Sequence, residues 1–408
     1  MPQTTAAQLD AVDPLASMRA LFALPEGVVY LDGNSLGALP RATIDTVAEA
    51  VRNQWGEGLI RSWNLAGWVD ISQRVGAKIA ALIGAPTDSV VACDSTSVNL
   101  YKALHAACAL CPDRNVILTD INNFPTDLYL IDSVANERGL EVRALPKGEI
   151  IAAMNDDVAV VVLTHVDYRS AEMYDMDEIT AKAHAAGALT IWDLAHSAGA
   201  VPLDVTEADA DFAVGCGYKY LNGGPGAPAF IYVAPRIADS TSQPIQGWHG
   251  HAHPFEFDRH YEPARGVERM LAGTPPVLSM VALSTALDVF GDVTMSQLRT
   301  KSLALSTLFY TLADEHLTPR GFAVESERDP AKRGSHVAIS HAHAYSIVRA
   351  LIERGVIGDF RRPNLLRFGF APLYNTFADV VRLVDECIDV MDSGQYLEAR
   401  LAIEVAVV

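Results

Sequence analysis

Short unbroken apolar runs alternate along this chain with longer stretches of helical periodicity. Positions 90–93, 115–119, 158–164, 189–193 and 211–214 read as buried strands, because their apolar residues run together without a polar face. Helical spacing over 98–109, after Phe124, and over 176–186 fills the intervals between them. That βα alternation predicts a mostly parallel sheet covered by helices on both faces. Upstream, Asp13-Pro14 opens a helix whose apolar face runs over 15–24, and 28–31 reads as a strand. Amphipathic helices follow over 40–55 and 70–83, while residues 1–12 read as loose. After Pro275-Pro276 the pattern changes. Helices over 277–290, 296–315, 343–354 and 376–391 enclose strands over 336–340 and 365–369. The expectation is an α/β chain with a large cofactor-binding domain over 46–275 and a smaller α+β C-terminal domain over 276–408. Residues 1–45 are expected to pack with the small domain.

In such sheets ligands gather outside the carboxyl ends of the strands. The polar residues collect there: Thr96 and Ser97, Phe124-Pro125-Thr126-Asp127, Thr164, Asp193 with His196, and Tyr218 with Lys219. A lone lysine past a strand is ordinarily a solvated surface residue, and a lone aspartate at a strand end is ordinarily a cap. The conjunction changes the reading. Strand, acid, strand, lysine is the order of an enzyme that holds pyridoxal phosphate as a Schiff base. Lys219 would form the imine, and Asp193 would keep the pyridine nitrogen protonated. Thr96 and Ser97 open a helix, where free N–H groups and hydroxyls suit a phosphate. Phe124 is placed to stack on a ring, and Tyr218 to reach the phosphate or act as an acid.

Three further places carry candidate chemistry. The turn Asp32-Gly33-Asn34-Ser35-Leu36-Gly37 is either a plain turn or one that presents Asn34 and Ser35 to a ligand. Arg61, Trp63, Asn64 and Trp68 make the stretch 56–69 either a helix-packing loop or a lid over a flat substrate. Arg367, at the end of a strand, is either a surface ion pair or a bidentate clamp on an α-carboxylate.

Composition narrows the classes. The 408 residues carry a formal charge of −19, half are apolar and a fifth charged, which argues against nucleic acid or anionic membrane as partner. Five cysteines are too few and too scattered for a disulfide framework. Cys108 and Cys111 have CxxC spacing without a second pair and read as core. His249, His251, His253 and His260 crowd one region without a zinc pattern, so a loop near the site or a dimer interface is expected. No metal is expected. No signal peptide is visible and the apolar runs are too short to span a bilayer, so a cytoplasmic enzyme is expected.

Taken together, the segments Leu31-Asp32-Gly33-Asn34-Ser35-Leu36-Gly37, Phe124-Pro125-Thr126-Asp127, Asp193-Leu194-Ala195-His196, Gly217-Tyr218-Lys219-Tyr220-Leu221-Asn222 and Gly273-Thr274-Pro275-Pro276 resemble the kynureninase family along nearly the whole chain. The resemblance implies the aspartate-aminotransferase fold and cleavage of L-kynurenine to anthranilate and L-alanine in tryptophan breakdown. It extends to 3-hydroxykynurenine as an alternative substrate. It implies Lys219, Tyr218 and Asp193 as catalytic groups. The cofactor would be held by Thr96, Ser97, Phe124, Pro125, Thr126, Asp127, Thr164, Asp193, His196, Tyr218 and Lys219. Trp248 and Thr274 would also bind the cofactor, reaching it from the neighbouring protomer of a homodimer. Arg367 grips the substrate carboxylate in this scheme, with Asn34, Ser35 and Trp63 on the substrate side. Animal members carry Asn where Thr274 stands, which points here to the plain substrate. The rivals are an aminotransferase or a desulfurase of the same fold. A desulfurase needs a nucleophilic cysteine on a mobile small-domain loop, and the only cysteine after Cys216 is Cys387, within a helical pattern.

Overall fold

The computed structural model describes residues 2–404. A two-residue strand, β1 (Val29–Tyr30), precedes the main sheet. That sheet is built from β2 (Val90–Ala92), β3 (Val116–Asp120), β4 (Glu141–Leu145), β5 (Val158–Thr164), β6 (Leu189–Asp193), β7 (Phe212–Cys216) and β8 (Ala229–Val233). Their order is β2-β8-β7-β6-β5-β3-β4. The run from β7 to β4 is parallel throughout, and β8 lies antiparallel to both β7 and β2. Successive residues of each strand enter opposite cores, which is why the central strands read as unbroken apolar runs. Val161, Leu163, Trp192, Ala213 and Phe230 point into one cluster. Val160, Val162, Ile191, Val214 and Ile231 point into the other. Helices Thr96–Leu110 and Pro125–Arg138 cover the second face, while Ile71–Ile83 and Met176–Ala185 cover the first.

A second sheet of order β12-β13-β10-β9 joins β9 (Ala323–Val324), β10 (His336–Ser340), β12 (Asp359–Arg361) and β13 (Leu365–Gly369) in antiparallel ladders. Strand β11 (Val356–Ile357) pairs instead with β1, in parallel. The helices Met295–Leu312, Ala344–Glu353 and Phe377–Ser393 share the core of this unit. Helix Val277–Leu287, which follows Pro275-Pro276, buries Met280, Leu283 and Leu287 in the core under the large sheet.

Two expectations change at the N-terminus. Residues Pro2–Ala11 are helical rather than loose. Asp10 accepts from the Phe377 and Ala378 backbone N–H groups at 2.8 and 3.0 Å and so caps the last long helix, a tertiary contact that no local pattern announces. The helix after Pro14 shrinks to a 3-10 turn, Ala16–Leu21. Its neighbours Leu15 and Phe22 sit in the large-sheet core, whereas Ala6, Val29 and Leu31 sit in the small-sheet core. The N-terminal segment thus straddles both units.

Candidate active site

The turn that follows β7 carries Tyr218 and Lys219, and two glycines let the 32–37 turn pack between it and β13. A Cβ on Gly37 would lie 2.3 Å from the Lys219 carbonyl oxygen. Only glycine lets the 32–37 turn come this close, and the Gly37 N–H donates to the Tyr218 carbonyl at 2.7 Å. A Cβ on Gly369 would lie 2.0 Å from Asn34 Oδ1, so the same turn is also pressed against β13. Residues distant in sequence are thereby held around one half-buried amine.

Lys219 Nζ lies 3.2 Å from His196 Nε2 and 5.9 Å from the centre of the Phe124 ring. Asp193 ends β6, buried, and its Oδ1 accepts the Ala195 N–H at 2.7 Å. Asp127, in the first turn of its helix, faces Asp193 and lies 3.3 Å from the Thr164 hydroxyl. Burial pushes both carboxyls up. Asp127 rises well above the ordinary range because it also faces Asp193, while the Lys219 ammonium pulls against the rise at Asp193. Burial and then the charges of Lys219, His336, Arg367 and Arg361 drive His196 well below its usual value and keep it neutral. Asn123, which sequence reasoning passed over, fixes this corner. Its Oδ1 accepts from the Thr164 hydroxyl and from the Phe124 N–H at 2.8 Å, and its Nδ2 donates to Thr119 Oγ1 at 3.2 Å.

Two buried carboxyls at the carboxyl end of a parallel sheet, with one ammonium nearby, suit a ligand that brings a further positive charge. A pyridinium ring does so. The phosphate of such a ligand also has a place. Ser95 caps helix Thr96–Leu110 by accepting the Val98 N–H at 3.3 Å, and the buried Thr96 hydroxyl has no partner among the described residues. Lys102 holds this turn from behind: fully buried, it is bonded to Asp94 and donates to the Met270 carbonyl at 2.6 Å.

Arg367 is not a surface residue. It is 2% exposed, donates through Nε to Asp359 Oδ1 at 2.9 Å and through Nη2 to Asp359 Oδ2 at 2.5 Å, and also meets the Tyr168 carbonyl. Arg361 Nη2 reaches the same Asp359 Oδ2 at 2.7 Å. Ser35 Oγ donates to Asp359 at 2.6 Å and accepts from Arg367 at 3.0 Å. The Asn34 side chain is buried, with neither amide atom partnered among the described residues. Asp32 lies in the same group, pushed up to about 7 by burial and by the Asp359 charge.

Trp63, Trp248 and Thr274 form a separate surface. Trp63 packs edge-on to Trp68 at 6.4 Å and to Trp248 at 5.8 Å, and Trp248 stacks on His249 at 4.9 Å. The His249 N–H donates to the Ala272 carbonyl at 3.1 Å, which places exposed Thr274 beside them. The nearby histidines bond to backbone, and no group that could hold a metal ion occurs among the described residues. All five cysteines are free; Cys108 is buried as expected, whereas Cys111, expected in the core with it, is only half-buried.

The sequence family of the kynureninase C-terminal domain matches residues 298–387. The chain is 47% identical over 406 residues to kynureninase of Pseudomonas fluorescens, covering 98% of each. It is 50% identical over 401 residues to kynureninase of Deinococcus radiodurans, covering 96% of this chain and 98% of that one. Among solved structures, the apo cysteine desulfurase of Thermococcus onnurineus NA1 superposes with a TM-score of 0.79 at 18% identity, over 92% of this chain and 98% of that one. At that identity the likeness concerns the fold.

Proposed function

The chain belongs to the kynureninase family, and from that membership we propose how its residues divide the hydrolysis of the Cβ–Cγ bond of L-kynurenine to anthranilate and L-alanine. Pyridoxal phosphate, when bound, supplies the electron sink that makes the substrate's α-proton acidic and its Cβ–Cγ bond cleavable. The chain's own groups do the rest. Lys219 Nζ holds the cofactor, takes the proton from the substrate α-carbon and delivers it again. Asp193 pairs with the pyridine N–H, and Asp127, kept protonated, leaves Asp193 as the charged member of the pair. Phe124 covers the ring, with Pro125 and Thr126 setting its helix. Thr164 and His196 line the ring edge. The free N–H groups and hydroxyls at Thr96 and Ser97, with Tyr218, hold the phosphate. Burial raises the Tyr218 hydroxyl, which fits a group that keeps a proton until it donates one. Arg367, with Ser35 and Asn34, receives the substrate carboxylate.

The single observation that carries this reading is the meeting of Lys219, Asp193, Asp127 and His196 at the end of the parallel strands. Adding L-kynurenine to cofactor-loaded protein should release anthranilate, followed by its fluorescence, and an equal amount of alanine. A yellow protein that forms neither product would refute the activity. Lys219→Ala should abolish turnover and remove the imine absorbance.

We assign Trp63, Trp248 and Thr274 to the aromatic end of the substrate in a partner protomer's site, within a homodimer. Exposed apolar side chains on the same stretch as Trp63 support this: Trp55 is 56%, Ile60 76% and Leu65 77% exposed. Mixing inactive Lys219→Ala with inactive Trp248→Ala should restore about a quarter of wild-type activity per site through hybrid dimers. Without such recovery, the two residues serve the same protomer. Preference for kynurenine over its 3-hydroxy form is part of the proposal, and the ratio of kcat/KM values measures it. So is a cytoplasmic location, which the free cysteines favour.

A further inference from the structure

His336 opens β10, opposite Gly369 in the ladder that joins β10 to β13, the strand of Arg367. Its ring is buried at 1% exposure, and neither ring nitrogen makes a hydrogen bond of normal geometry among the described residues. The Tyr168 carbonyl that faces it already accepts from Arg367 Nη1. Buried polar groups are normally satisfied, so a bare imidazole in this position asks for a reason.

The reason lies across the boundary between the two units. The His336 ring packs against the His196 ring with centroids 5.5 Å apart and planes at 50°. His196 Nε2 in turn accepts from Lys219 Nζ at 3.2 Å. Three side chains therefore stand in file from the large sheet to the small one. The charged groups around the file are Lys219 with Asp193 beside it on the large side and Arg367, Arg361 and Asp359 on the small side. Burial and the surplus of positive charge keep both rings neutral, so neither adds a charge of its own beside the amine.

We infer that His336 is a positioning residue, which holds the His196 ring at the distance where its Nε2 accepts from the nitrogen of Lys219. This rests on Lys219 being the lysine that holds the cofactor. His196 then favours the protonated form of that nitrogen, and a loosened ring would favour it less.

The test uses cofactor-loaded protein. His336→Ala removes the ring that packs on His196, whereas His336→Phe keeps an aromatic ring there. The pH titration of the cofactor's visible absorbance should move down by about half a pH unit in His336→Ala. Its kcat should fall about tenfold with KM within about twofold, and His336→Phe should recover at least about a third of the loss. A lower melting temperature with an unmoved titration and kcat within about twofold would reduce His336 to packing and overturn the inference. If His336→Ala does not fold, His336→Leu decides alone: a shift in the same direction supports the role, and none overturns it. Borohydride reduction and peptide mapping of wild-type protein test the premise separately, since a label on another lysine would sink the cofactor assignment itself.

Discussion

At one end of the cleft Asp127 and Asp193 offer more buried carboxyl than there is positive charge beside them, whereas at the other end Arg367 arrives with its own counter-ion. The large-sheet end is left open electrostatically. Its two carboxyls are pushed up by burial, and Lys219 is the only cation among the groups that shift them. The small-sheet end is closed on itself through Asp359, shared by Arg361, Arg367 and Ser35. The difference separates two ways of preparing a site. A buried carboxyl pair that sheds one charge by keeping a proton gains when a cationic ring docks, while a self-paired guanidinium is held in place before the ligand comes and shares its charge. With Asp32 protonated, two guanidiniums against one carboxylate still leave a surplus positive charge for an incoming carboxylate.

The contrast can be broken first at the open end. Asp193→Asn should cut kcat about a thousandfold, because the amide cannot hold the pyridinium proton. Asp127→Asn, a neutral isostere of a carboxyl that already carries a proton, should cost only about tenfold. Equal losses in steady-state assays would mean that the proton is not placed as argued. At the closed end, Asp359→Asn strips both arginines of their counter-ion in a buried setting. Denaturant unfolding should show a loss of about 3 kcal/mol, with a raised KM and a smaller change in kcat. Unchanged stability would refute the self-paired description.

The smallest effect concerns Asp32. Its carboxyl stays neutral below about 7 and ionises above it, cancelling the surplus charge at Arg361 and Arg367. The KM for kynurenine should therefore climb a few-fold, about three to ten, as pH rises from about 6 to about 8. Asp32→Asn should flatten that rise. The folded state binds this proton more tightly than the unfolded chain, so the stability it contributes is full at low pH and is lost as pH rises through about 7. Thermal melts of the variant should accordingly fall less steeply toward alkaline pH than those of the parent.

Much of the large unit was legible because its central strands are buried on both faces and each ends in a polar residue. Strands β5, β6 and β7 stand where their apolar runs placed them, with Thr164 and Asp193 closing β5 and β6 and Lys219 in the turn after β7. Strand β4 escaped notice since Glu141 and Arg143 break its apolar pattern at the sheet edge. Strand β8 also went unread, and it alone gives the sheet its antiparallel partners. The pieces β9, β11 and β12 are two or three residues long, too short for any period to register.

The sequence by itself determined which residues could carry the chemistry: a lysine after one buried strand, an acid closing its neighbour, hydroxyls at a helix start, and an arginine on a later strand, which sits in the middle of β13 rather than at its end. Those are local facts, set by chain direction and strand termini. Only the tertiary structure decided how they are charged. Asp359 faces Arg367 because β12 and β13 pair in register, and Ser35 reaches them because glycine at 37 and 369 lets a distant turn close on both units. His336 meets His196 only where the two sheets approach. Electrostatics depends on distance and burial rather than on order along the chain, so the state of each group awaited the fold.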